Sequence, residues 1–441
     1  MTTIFGNTYT PYVIEYLVTD GSLDNPISSC IDSLGNLFIG CRTPGKTLFV
    51  IPPIDTTIFG IACNANVLNN ITSISGTPDS ARPVLCLDSD DNLYIGDYFL
   101  PDRLMVLPRT TSTIFGVLCN ANETTIISSV VDPGELLISP TGMAFDSSGN
   151  LFIANGWAYE YSASNAKLLV LTNTNTNVFG VSCTANLVTD ISIVDDNSLM
   201  SSLKGICFDS AGNLYIGNRN GTDRNICVLP RESGTLFGIS VTQNIVSILT
   251  TANTEPWGVR IDSNGNLFWI ESSPSLLHVL PRTDTVVYGV TCSENTPTNL
   301  TPTVDPNNNL IEPYDLCFDA NMNLFIINRE DTTPAILPNA TLTTSFPSSP
   351  SIGYGIYITT ETTFLFDYQK VQNYIAGTPA SPPYGAFATP GIILTDLHRV
   401  VYSFGTNGLK TYKFREVQLP GSLTSVYICI WAASGVSPST L

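Results

Sequence analysis

Gly205 to Gly217 reads GICFDSAGNLYIG, two short apolar runs separated by Asp209-Ser-Ala-Gly-Asn. An aspartate that accepts bonds from backbone amides two residues on, followed by a glycine free to take positive φ, makes a tight turn. The flanking runs are too short for helices and fit buried strands. The stretch is a β-hairpin unit, and the chain writes it six times. Equivalent turns start at Asp32, Asp88, Asp146, Asp209, Asp262 and Asp319.

Successive turn aspartates lie 56, 58, 63, 53 and 57 residues apart. A period above about 40 residues with several strands per unit predicts a β-propeller, not a helical solenoid. Each unit parses into four strands. One precedes the aspartate, one follows Gly-Asn, and a third carries Val-Leu-Pro-Arg, as at Val106–Arg109, Val228–Arg231 and Val279–Arg282. The fourth is assigned to Ile-Phe-Gly and its relatives, such as Ile58–Gly60 and Ile114–Gly116. The chain opens on the same signature, Thr2-Thr3-Ile4-Phe5-Gly6, with no earlier strands to belong to. That orphan is expected to complete the last blade and close the ring, which removes exposed sheet edges.

Beyond Asp319 the repeat decays. Two degenerate blades are read into 341–415, which gives an all-β fold with a single propeller of eight blades, seven being the alternative. The domain reading is a propeller over 1–415, with regular repeats at about 26–340, and a tail or added strand over 416–441. The apolar run Val426–Ala433 (VYICIWAA) is too short to span a bilayer. Left exposed it would invite aggregation, so it is expected to pair with a blade of its own chain or of another subunit.

Charged residues make up only 12% of the 441, and 18 Lys and Arg face 37 Asp and Glu, for a net charge of −19. That balance repels phosphate backbones and anionic bilayers, which argues against nucleic acid or membrane insertion. No positively charged and apolar leader is present, so no signal peptide is expected. Cys63, Cys119, Cys183 and Cys292 share one place in the repeat, and Cys30, Cys86, Cys207 and Cys317 share another. Repetition of this kind marks a small buried core residue, not a disulfide framework, and implies synthesis in a reducing cytoplasm.

The repeat resembles the NHL and gluconolactonase-like families of β-propellers. Pro140–Ile153 (PTGMAFDSSGNLFI) and Pro256–Ile270 (PWGVRIDSNGNLFWI) carry the likeness. The Phe-Gly-x-x-Cys-x-Ala-Asn stretches also resemble repeat proteins of large DNA viruses. The first resemblance implies a divalent ion held at the channel mouth by carboxylate and amide side chains. The matching loops here are Glu255-Pro256-Trp257-Gly258 and Glu312-Pro313-Tyr314-Asp315, which makes Glu255, Glu312 and Asp315 the acidic candidates. Arg82, Ser139 and Ser202 stand at the equivalent places elsewhere and break a ring of metal ligands.

Only His278 and His398 are present, and no nucleophile elbow, phosphate loop or dinucleotide fingerprint occurs. No catalytic residue, metal or cofactor is therefore assigned. The turn aspartates offer one carboxylate each, which suits turns better than calcium loops. Arg109, Arg231 and Arg282 are expected to staple turns. Two irregular insertions carry aromatics, Tyr98 and Phe99 in one and Trp157, Tyr159 and Tyr161 in the other; with Ile430 and Trp431 of the tail they are the candidate interaction residues. The expected function is a non-enzymatic scaffold that binds protein partners or self-assembles, such as a virion subunit. The alternatives are a gluconolactonase-like metal-dependent hydrolase and a glycan-binding propeller using Trp157 and Tyr159.

Overall fold

The computed structural model describes residues 2–17, 23–43, 46–74, 83–97, 103–156, 166–195, 199–220, 223–252, 255–329 and 333–339. It also describes the backbone of four strands in the C-terminal part. The chain divides into two units, Met1–Thr341 and Leu342–Leu441.

The first unit is a six-bladed β-propeller, not the eight-bladed ring expected. Each turn-aspartate hairpin supplies the inner and second strands of a four-stranded antiparallel sheet. The inner strands are Pro26–Ile31, Pro83–Leu87, Pro140–Phe145, Leu203–Phe208, Pro256–Ile261 and Pro313–Phe318, in blades one to six. Neighbouring inner strands touch all the way round, including blade six against blade one. Second strands are buried on both faces, as Leu93–Asp97 and Leu324–Asn328 show, and their continuous apolar runs require it.

Ile-Phe-Gly is not the fourth strand. It is the turn of a separate two-stranded hairpin set between the third and outer strands, for example Thr56–Ile58 with Ile61–Cys63. Phe59 and Gly60 both have positive φ (47° and 81°), the geometry of a two-residue hairpin turn. A bulky residue there costs about 1–3 kcal/mol. Burial of the ring against the second strand offsets that cost: Phe59 packs 6.0 Å from Phe38, Phe115 6.3 Å from Tyr94 and Phe179 5.9 Å from Phe152. The outer strand follows the hairpin, as at Thr125–Ile126 and Thr298–Asn299.

This reassignment locates the ring closure. Thr2–Ile4 and Asn7–Tyr9 form the sixth hairpin, and Phe5 packs 5.8 Å from Phe325 of blade six. The closing strand itself is Glu15–Tyr16, paired with Ala335–Leu337. Thr2 Oγ1 donates to the Asn339 carbonyl at 2.9 Å, and Tyr12 N to the Pro338 carbonyl at 2.9 Å. The N-terminal segment does close the ring, one element later than the signature suggested.

The turn aspartates are structural. Asp209 Oδ1 accepts the amides of Ala211 and Asn213, and Oδ2 accepts the Asn213 side chain and the Tyr215 hydroxyl. Asn213 Oδ1 in turn accepts the amide of Arg231, tying the turn to the third strand. The same clamp recurs at Asp32, Asp88, Asp146, Asp262 and Asp319. Arg109 staples neighbouring blades by pairing with Asp32. The ten cysteines with described side chains are free thiols.

The second unit contains one antiparallel sheet, ordered Ile358–Thr359, Ser425–Ser434, Leu409–Gln418 and His398–Ser403. Ile430 and Trp431 lie on its Ser425–Ser434 strand, paired within the same chain. The remaining stretches read as degenerate blades fall outside the described residues.

Candidate active site

The inner strands line an axial cavity of about 740 Å³, counted to its open mouth, and all six contribute to its wall. What they present there is set by a register defect. In blade one Pro26 pairs with Cys41 and Ser28 with Gly40, which leaves Ile27 as an extra residue. The same one-residue bulge falls at Thr141, at Lys204-Gly205, at Trp257-Gly258 and at Tyr314. Blade two alone keeps an unbroken ladder, Pro83 with Asp97 and Val84 with Gly96. Bulges re-aim side chains, and here they do so five times at the same mouth.

Read around the ring, the residue after each leading position is Ile27, Val84, Thr141, Lys204, Trp257 and Tyr314. Blades one to three give an arc of small β-branched side chains, aliphatic in one and two and a threonine in three. Blades four to six give a stacked one. The Trp257 and Tyr314 rings lie 4.0 Å apart at 22°. Lys204 Nζ sits 4.0 Å above the Trp257 ring, and the Arg329 guanidinium lies 5.0 Å from that of Tyr314. Lys204 is fully buried; a desolvated cation on an indole face contributes about 2 kcal/mol. Trp257 Nε1 donates to Ser272 Oγ at 3.1 Å, and Arg329 Nη1 to the Tyr314 hydroxyl at 2.9 Å.

One step deeper the strands nearly touch. A Cβ on Gly205 would lie 2.5 Å from the Trp257 carbonyl, so only glycine lets the two backbones approach this closely. The floor is built around Asp315. Its Oδ1 accepts from Arg260 Nη2 at 3.0 Å and from Leu316 N, and its Oδ2 accepts from Ser29 N at 2.9 Å and Ser28 Oγ at 3.3 Å. Ser28 Oγ also accepts the Leu85 amide. One carboxylate thus joins blades five, six and one, and through Ser28 reaches blade two. Burial is the largest single influence on Arg260 and opposes its charge, but Asp315 and the neighbouring thiols together more than offset it and raise the guanidinium pKa, so Arg260 stays ionised.

Arg260 occupies the place that four of the other blades give to cysteine and blade three to Ala144. Burial pushes the thiols of Cys86, Cys207 and Cys317 up to about 12, against the pull of Arg260. These cysteines are protonated wall residues, not nucleophiles.

The acidic candidates do not make a cation site. Both oxygens of Asp315 are taken by hydrogen-bond donors, and Glu312 Oε2 faces Arg329 Nη1 at 3.6 Å. Carboxylates held by guanidinium groups suit a divalent ion poorly. Among the described residues no three His, Cys, Asp or Glu side chains converge on a metal position, so the set implied by the resemblance does not fit. Tyr98, Phe99, Trp157, Tyr159 and Tyr161 lie outside the described residues. Lys204, Arg260 and Arg329 were not singled out by the sequence. Aligning the repeats on the residue after the leading proline would have drawn attention to Lys204 beside Trp257 and Tyr314.

No family model matches the chain, and no curated protein matches it. Solved structures do. A gluconolactonase from Xanthomonas campestris is similar over 74% of this chain and 89% of its own, at 11% identity and TM-score 0.48. A PQQ-bound aldose sugar dehydrogenase from Streptomyces coelicolor is similar over 73% and 96%, at 11% and 0.47. A virginiamycin B lyase from Staphylococcus aureus is similar over 73% and 98%, at 12% and 0.42. The likeness to gluconolactonase-like propellers read in the repeats is matched in the fold. The expectation of a non-enzymatic chain is not upheld by the comparisons: the propellers it is similar to are a gluconolactonase, a sugar dehydrogenase and a lyase, a likeness of fold alone.

Proposed function

We propose that the axial cavity is the working site of an enzyme that acts on a small organic molecule. One observation carries the reading. The turn clamps repeat with near-identical residues, whereas the residue after the leading position differs in all six blades, and five of these residues, Ile27, Val84, Thr141, Trp257 and Tyr314, line the cavity. A position that only holds a repeat together has no reason to diverge in this way.

The chemistry favoured is hydrolysis of an ester or lactone, the activity that the repeat's resemblance implies. Arg260, fixed by Asp315, offers a buried cation to the floor. Tyr314, which accepts a charge-assisted bond from Arg329, offers a polarised phenol to the mouth. Both would stabilise negative charge that develops on a carbonyl oxygen. Ser28 bonds to an Asp315 already neutralised by Arg260, which leaves the serine poorly activated as a nucleophile, so water is assigned that part.

The test is hydrolysis of a panel of γ- and δ-lactones and aryl esters. We expect turnover that falls about 100-fold in Tyr314→Phe with the fold intact, and further in Arg260→Met/Asp315→Asn, which removes both charges together. Turnover unchanged in both variants, or no turnover of any member by the parent, overturns the reading.

A further inference from the structure

We infer that the molecule taken by the axial cavity is an organic carboxylate with a compact apolar body, its head held at the mouth by Arg329 and Arg42. The inference rests on the cavity being a small-molecule site and adds the ligand's charge and shape.

Local charge is the first observation. The chain has twice as many acidic as basic residues, 37 against 18, yet the charged residues lining the cavity are Arg42, Arg260, Arg329 and one aspartate, Asp315. Asp315 and Arg260 are paired with each other at the floor. The other two arginines, Arg42 and Arg329, come from blades one and six, which are neighbours in the ring. Arg42 N donates to the Asn25 carbonyl at 3.0 Å and Arg329 N to the Glu312 carbonyl at 3.1 Å, so the two arginines hold equivalent places opposite the residue before the leading proline, Arg42 within Leu37–Thr43 and Arg329 one residue past Leu324–Asn328. Two forks on adjacent blades match the two oxygens of a carboxylate.

Glu312 is the second observation. Its carboxylate lies 3.6 Å from Arg329 Nη1, longer than a hydrogen bond, and the side chain is 43% exposed. Its backbone is held at φ 45°, the left-handed region. Glu312 thus keeps a carboxylate near Arg329 on a side chain that is free to swing outward, and an incoming carboxylate would take its place. The wall opposite the stacked rings completes the match: Ile27, Val84, Leu85, Met143 and Ile206 offer apolar surface and no polar partner for a ligand body. A hydrolysed substrate of this class carries its carboxylate apart from the scissile carbonyl.

Isothermal titration of the full chain with 3-phenylpropanoate and cyclohexanecarboxylate, each against its carboxamide, tests the inference. We expect the acids to bind about 10- to 100-fold more tightly than the amides. Arg329→Gln should erase that preference, and Glu312→Gln should tighten acid binding several-fold by removing a competitor. Ile27→Trp, which fills the mouth, should abolish binding of both. Amides binding as well as acids, or Glu312→Gln weakening the acids, overturns the inference. If amides bind and Ile27→Trp abolishes that binding, the cavity reading survives while the charge preference falls. If neither acids nor amides bind the parent, both readings fall.

Discussion

The two ends of each inner strand have been treated differently. At one end stands the Asp–Asn clamp, in six copies that share partners and backbone path. At the other stands the mouth residue, which is aliphatic in blades one and two, a threonine in blade three, and lysine, tryptophan and tyrosine in the rest. The clamp end sets register and holds the hairpin to the third strand, so any change to it costs stability. The mouth end inherits that rigidity and spends it on variety, because in five of the six blades a bulge already interrupts the ladder there.

Three substitutions and one titration probe the contrast. Asp209→Ala strands two amides, the Asn213 side chain and the Tyr215 hydroxyl, and should lower unfolding free energy by about 3–4 kcal/mol in urea titration. Ligand binding by the fraction still folded should not change. Equal stability to the parent would mean that the clamp is dispensable. Gly205→Ala drives a methyl into the Trp257 carbonyl and should cost about 2 kcal/mol while also distorting the mouth, so it is the one variant expected to move both readouts.

The titration concerns His278, stacked on Trp269 at 4.9 Å and facing the buried Glu271 at 3.4 Å. Burial lowers its pKa despite the carboxylate. The folded chain therefore binds the imidazole proton less tightly than the unfolded chain does. Stability should fall as pH drops below about 6.5, the ordinary histidine value, and go on falling until the folded value is passed. His278→Phe should keep the stack and flatten that slope; an unchanged slope in chemical denaturation at pH 7 and 5 would contradict this. Lys204→Met removes the cation–π contact of about 2 kcal/mol but also the cost of burying the charge, so the net shift in stability should be no more than about 1 kcal/mol.

The clamp was legible in the sequence because its residues are close together and recur: Asp, Gly and Asn within five positions name their own turn. Even its exceptions, Asp91 and Met322 in the glycine place with φ 59° and 63°, stay inside a readable frame. The six turn aspartates did mark the six blades, and the count went to eight only because two more were read into 341–415; what was not legible was the outer strand. Ile-Phe-Gly is β-prone and regular, so it passes for a ladder strand, and nothing local says that its hairpin stands apart from the sheet. Glu15–Tyr16, the true closing strand, is two residues long and carries no signature. The mouth was hidden for a different reason. A bulge is a relation between two strands, and Lys204, Trp257 and Tyr314 become neighbours only when blades four, five and six stand side by side. Glu312 and Asp315 were named as acidic candidates, but their partners, Arg329 and Arg260, lie up to 55 positions away and reverse their meaning.

Closure by the segment 2–17 has a consequence for the order of assembly. Its partners Ala335–Leu337 and Asn339 are synthesised more than 300 residues later. Until they emerge, the outer strand of blade six has no third strand to pair with and the sixth hairpin has no sheet to rest on. The residues made first are therefore among the last to settle, and the completed ring is held shut by a join between distant parts of the chain, with the high contact order and slow final step that such a join brings. A nascent propeller of this kind presents an open edge for most of its synthesis, and a peptide copying residues 2–17 would be a natural competitor for that seam.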